Sequence, residues 1–240
     1  MQILLLGFLT LVASFVGTIS GFGLSTVMLP VLILFFPLPI ALLFVGIIHA
    51  FSDLWKIILF KHAFDKKIIL MFAIPGIIAS FFGARVVLTT PQTALIQFLG
   101  LILILYVFLI TLNSKLKLPH TPFFSGVGGL TSGFLAGVFG MGGAARSLFL
   151  SAFNFPKDVY IFATGAIGLI IDSGRLLTYY FGGIRLEKEL LTGLIFFIPI
   201  SFLGAGIAKK VVNKIPQNKF RFVVAVFLFL VGLKLLIFPD

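Results

Sequence analysis

Six ionisable residues stand inside long apolar runs: His49, Asp53, Lys56, Arg146, Asp172 and Arg175. Asp53 precedes Lys56 by three positions and Asp172 precedes Arg175 by three, so on a helix each acid shares a face with its base. Charges at membrane depth are costly and turn toward partners or a polar cavity. Two readings stay open for these pairs. They are neutralised structural ion pairs between helices, or one base of each is held by its acid beside a substrate anion. His49 lies four residues before Asp53 on the same face, where it either relays a proton, since histidine titrates near neutrality, or packs with a hydrogen bond. Arg146 has no evident route to an interface and reads as an anion contact. Arg85 and Lys234 sit near segment ends, where snorkelling accounts for them.

Two glycine clusters accompany these charges: Gly21-Phe22-Gly23, and Gly140-Met141-Gly142-Gly143 just ahead of Arg146. Glycine accepts positive φ and lets another backbone approach. Broken backbone at membrane depth survives only where protein or a water-filled cavity satisfies its polar groups. A short helix after each break, over 24–36 and 144–153, would aim free N–H groups and a partial positive charge at such a cavity, which favours an anion. A lone GxG could equally serve close helix packing. Its occurrence in both halves favours the cavity.

The elements that must position these residues are apolar helices. Of 240 residues, 60% are hydrophobic and 10% charged, against roughly a quarter charged in soluble domains. Apolar runs near 3–19, 24–36, 38–60, 68–88, 93–112, 122–139, 144–153, 157–181, 189–208 and 219–237 follow one another with short turns between them. Spanning the hydrocarbon layer takes about 20 residues. The first run lacks a basic leader and a small-residue cleavage site, so it reads as a mature span rather than a signal peptide. Cysteine is absent, which removes disulfides, thiol catalysis and cysteine-ligated metal. There is no HExxH and no P-loop, so no enzyme, cofactor or metal is implied. The net charge of +11 sits mostly in loops and argues topology, not nucleic acid.

The polar stretch 113–121 divides the chain into a first repeat, 1–112, and a second, 122–240. Gly21 and Gly140, Pro37 and Pro156, and Asp53 and Asp172 are each 119 positions apart. If each glycine-broken pair is a hairpin returning to its starting side, one side of the membrane receives eleven loop bases, among them Lys61, Lys66, Lys67, Lys115, Lys117 and Lys214. The other side receives two, Arg185 and Lys188. The rich side is cytoplasmic by the positive-inside rule, which places both termini outside. Each repeat, a broken hairpin followed by three transmembrane helices, then crosses an odd number of times. The second repeat is therefore inverted relative to the first, as in many secondary transporters.

These residues resemble the TauE/SafE family of sulfite exporter-like permeases over nearly the whole chain. The likeness rests on Gly21-Phe22-Gly23 followed by Pro30, on Pro37-Leu38-Pro39-Ile40-Ala41, on the ladder Gly133, Gly137, Gly140, Gly142 and Gly143, and on Ala163-Thr164. Leu24 stands where the family often has a further glycine, Phe149 where it often has a proline, and Arg146 is unusual at its position. The resemblance implies transport of sulfur oxyanions or organosulfonates, such as sulfite or sulfoacetate, through a paired-repeat fold.

The expectation is an all-α integral protein of the cell membrane, a secondary transporter for a small anion. Its site lies between the glycine breaks and is formed by Gly21, Phe22, Gly23, Gly140, Met141, Gly142, Gly143, Arg146, Lys56 and Arg175, with His49, Asp53 and Asp172 pairing charges or coupling an ion. The expected partners are the anion, lipid and a coupling proton or sodium ion; a homodimer is left open. A passive anion channel and a non-transporting assembly factor are the rival readings.

Overall fold

The computed structural model describes residues 2–60, 66–112, 118–212 and 217–239. Loop residues Lys61, Lys115, Lys117 and Lys214, and much of the linker, lie outside the described residues. Within them every apolar run forms a helix, and no strand interrupts the order: α1 (Gln2–Ser20), α2 (Ser25–Leu32), α3 (Leu38–Leu59), α4 (Lys66–Thr89), α5 (Gln92–Leu112), α6 (Pro122–Phe139), α7 (Gly142–Ala152), α8 (Lys157–Phe181), α9 (Lys188–Val211) and α10 (Gln217–Ile237). Prolines set several starts. Pro37 and Pro156 immediately precede α3 and α8, where a missing N–H costs nothing.

The protein is an all-α integral membrane protein, with apolar helix sides facing outward and a cluster of polar and charged side chains buried within its apolar core. Phe8, Ile74, Phe82, Leu105, Phe134, Ile195 and Phe196 are exposed along the helix sides, while Thr10, Ser14, Asp53, Lys56, Arg146, Asp172, Arg175 and Ser201 are buried. Among the described residues, five helices, α3, α4, α6, α8 and α9, are long and apolar enough to cross a bilayer.

Packing pairs exchange between the halves. α3 lies on α8 and α5 on α10, while α4 packs on α6 and α9 on α1. Replacing each helix by its counterpart five elements along maps this set onto itself. A further sequence match fits the exchange: Ser80-Phe81-Phe82-Gly83-Ala84 in α4 parallels Ser201-Phe202-Leu203-Gly204-Ala205 in α9. Gly83 lies against the α6 backbone and Gly204 against the α1 backbone, near Ser14. Gly129, Gly133 and Gly137 continue the α4–α6 contact, each facing the carbonyl of Phe72, Gly76 or Ser80 where a β-carbon would collide. Lipid provides no hydrophobic drive to join helices, so such close backbone approach is how they gain dispersion contact. Gly133 and Gly137 thus belong to helix packing.

Of the boundaries that differ from expectation, two bear on the site. α2 ends at Leu32, not residue 36, because 33–36 turn ahead of the Pro37-Leu38-Pro39 start of α3. α7 begins at Gly142, so Gly142 and Gly143 form its first turn instead of belonging to the break. The cause is contact: a β-carbon on Gly143 would strike the Phe22 carbonyl, and one on Gly142 would meet Ser132 O at 2.5 Å.

Candidate functional site

The two breaks meet, the Gly143 backbone lying against the Phe22 carbonyl. Gly21 (φ 75°), Gly23 (φ 83°) and Gly140 (φ 64°) adopt left-handed backbone, which explains glycine at these three positions. Gly140 closes α6, its N–H donating to Ala136 O at 2.8 Å while that of Met141 reaches Leu135 O at 3.2 Å. Gly21 packs on Tyr160, whose hydroxyl donates to Ser20 O at 2.8 Å. The Gly143 backbone rests on Phe22–Gly23, joining break to break.

Beside this junction the paired charges of α3 and α8 converge, each residue at most 1% exposed. Lys56 Nζ donates to Asp53 Oδ1 at 2.7 Å, and Arg175 Nε to Asp172 Oδ1 at 2.7 Å. The helical spacing of three thus forms both pairs as expected. Their connection comes from two residues without charged counterparts in the other half. His49 of α3 places Nδ1 2.7 Å from Asp172 Oδ2 and Nε2 3.6 Å from Asp53 Oδ1. Arg146 of α7 donates through an Nη to Asp53 Oδ2 at 3.4 Å. Positions 119 away from these two hold Gly168 and Val27. Gly168 makes the room: a β-carbon there would run into Asp53 Oδ2 and the Arg146 guanidinium.

The glycine breaks border this cluster directly. His49 Nε2 lies against Gly23, and Arg175 Nη1 is 3.5 Å from where a Gly140 β-carbon would sit. Gly46 gives the same guanidinium clearance on α3, with 3.0 Å to a β-carbon built there. Phe22 and Met141 instead turn their side chains into the apolar core, Phe22 edge-on to Tyr106 with ring centroids 5.4 Å apart. Arg85 stays outside the cluster, exposed, with its guanidinium 4.4 Å above the Phe81 ring. Tyr179 was not foreseen from sequence. One turn beyond Arg175 and fully buried, it lies beside that guanidinium while its hydroxyl donates to Gly137 O. Its distance from Arg175 along the sequence, four residues on one helical face, was the available signal.

The electrostatics of the cluster are unequal. Lys56, Arg146 and Arg175 face Asp53 and Asp172, an excess of one positive charge with His49 neutral. No acceptor among the described residues meets hydrogen-bond geometry with Arg146 Nε or with Arg175 Nη1 and Nη2. His49, Asp53 and Asp172 bring potential cation ligands within 4.8 Å of one another, but three bases already contact these carboxylates and oppose a metal ion.

The family model for the sulfite exporter TauE/SafE matches residues 6–235. The chain belongs to the TauE/SafE family. Comparison with curated proteins gives no match, and neither does comparison with solved structures. As a TauE/SafE protein it is a multi-pass membrane protein of an exporter-like permease family, and its buried charges are read in that setting.

Proposed function

We infer that the chain is a secondary transporter of the cell membrane that moves a small sulfur-containing oxyanion, such as sulfite or sulfoacetate, by alternating access. The observation carrying this reading is the buried excess of one positive charge, with an unmatched guanidinium N–H on Arg146 and only the Tyr179 hydroxyl beside the outer N–H groups of Arg175. An uncompensated charge in a low-dielectric interior costs several kcal/mol, roughly, whereas an oxyanion would neutralise it and accept the open N–H groups. Arginine forks suit the planar edges of sulfite and sulfonate groups. The approach of two left-handed glycine breaks supports a site between the halves, and the exchange of packing pairs supports a duplicated, inverted arrangement.

Counterflow of labelled sulfite or sulfoacetate in proteoliposomes tests the transport. Saturable exchange accelerated by unlabelled anion on the far side is expected. Flux proportional to concentration would point to a passive channel, and no flux to an assembly role. Topology is tested with single cysteines at 185 and 214, since the native chain has none. Labelling of both from the same side by an impermeant thiol reagent would exclude the inverted repeat.

A further inference from the structure

We propose that this protein moves its dianion together with one proton, and that His49 holds the proton between Asp172 and Asp53. The proposal rests on the transport reading above and adds the coupling ion. Charge balance provides its first support. Three bases and two acids leave one positive charge, so a dianion at the site would reverse the sign to one negative. Burying either excess is unfavourable. One further proton closes the balance, and the geometry assigns it to the imidazole of His49, the base that stands between the two carboxylates.

Geometry provides the second support. The His49 ring lies between two carboxylates, Asp172 on the Nδ1 side at 2.7 Å and Asp53 on the Nε2 side at 3.6 Å. From its own helix it faces Asp53 and Lys56, from α8 Asp172 and Arg175 with Tyr179 behind, and from α7 Arg146. The α1–α2 break offers it the Gly23 backbone, and α9, which also packs on α3, carries charges only near its ends. A proton taken from water on one side of the membrane binds the ring, leaving N–H on both nitrogens. The Nε2–H then turns to Asp53, closing the longest contact in the network. That contact joins Lys56 on Asp53 Oδ1, and with a second positive charge there the carboxylate holds Arg146, on Oδ2 at 3.4 Å, less strongly. Arg146 is thereby released to the anion. When the anion leaves on the far side, Arg146 returns to Asp53 and the proton leaves Nε2 to water there. Sodium fits less well, because the carboxylate oxygens it needs are held by Lys56, Arg146 and Arg175.

The test is the number of protons moved per sulfoacetate, read with an entrapped pH dye and labelled anion in proteoliposomes whose membrane potential is clamped. Between about pH 6 and 8 both acid groups of sulfoacetate remain ionised, so any proton travels on the protein. Wild type is expected to move about one proton per anion and to accumulate sulfoacetate up to about tenfold for each pH unit of gradient. His49→Gln is expected to move about none, whatever flux remains. Sulfoacetate flux without protons in wild type, an unchanged ratio in His49→Gln, or accumulation driven by sodium alone would each overturn the proposal. The wild-type ratio decides without the variant should His49→Gln fail to fold. Absence of saturable flux for every anion would remove the transport reading itself, a result distinct from proton-free transport.

Discussion

The two carboxylates at the core, Asp53 on α3 and Asp172 on α8, lie 119 positions apart, each three residues before a base, but differ in company. Asp53 pairs with two bases, Lys56 and Arg146, whereas Asp172 pairs with one, Arg175, and shares its other oxygen with His49. The acid and base three residues apart are what the halves share. What each half adds is directed at the other: His49 of the first contacts the acid of the second, and Arg146 of the second contacts the acid of the first. The two halves thus reach into each other through one guanidinium and one imidazole at opposite ends of a single network.

The largest test of this contrast removes the acids. Taking one partner from a buried pair leaves a charge costing about 3–5 kcal/mol, and Asp53→Asn, which strands two bases, should fall at the upper end of that range. Asp172→Asn should cost less, because it strands one base, Arg175, rather than two. Thermal stability in detergent orders the two variants, and a larger loss for Asp172→Asn would contradict the asymmetry. Asp53→Asn/Lys56→Gln restores the wild-type excess of one positive charge. If Lys56 holds the anion as proposed, it should recover stability but not flux. Full transport in this double variant and in Asp172→Asn/Arg175→Gln would reduce both pairs to structural ones.

Much of this was legible in the sequence. Apolar run length and proline positions place the helices because lipid leaves the backbone little choice but helix. Spacing of three gave both ion pairs, since helix geometry alone brings those residues together. Contacts of His49 with Asp172 and of Arg146 with Asp53 were not legible, because they join residues 123 and 93 positions apart through a three-dimensional crossing. The role of Gly168 was hidden for the same reason: it is defined by the guanidinium that fills its space. Phe22 and Met141 were placed with the site by their glycine neighbours, yet break geometry turns their side chains into the core while the backbone stays at the junction.

A smaller effect separates the cation of the network from one outside it. Arg146→Ala should weaken anion binding by about 1.5–3 kcal/mol, roughly tenfold to a hundredfold, as expected for a lost charge-assisted hydrogen bond. Arg85→Ala should bind as wild type does, since Arg85 is exposed over Phe81. Competition for labelled sulfoacetate measures both. Equal affinities in folded protein would assign Arg146 to holding Asp53 alone.

The smallest effect compares the matched serines of α4 and α9, which anchor the same corner of each half in different ways. Ser201 Oγ donates to Ile198 O at 2.6 Å and accepts from Trp55 Nε1 at 3.1 Å, tying α9 to the helix that carries His49 and Asp53. Ser80 Oγ contacts the Ile77 and Ile171 carbonyls at 2.9 and 3.1 Å, acceptors that already serve helical backbone. Trp55 has Gly174 at its equivalent position, so no indole waits for Ser80. Ser201→Ala strands an indole N–H and should cost about 1–3 kcal/mol, at the lower end because Trp55 is only partly buried. Ser80→Ala strands no side-chain donor and should cost about 0.5–1 kcal/mol. Trp55 is the single tryptophan, so its fluorescence reports the difference directly. A shift in emission with Ser201→Ala and none with Ser80→Ala is expected, and equal destabilisation by the two would mean that the matched corners are held alike despite their different partners.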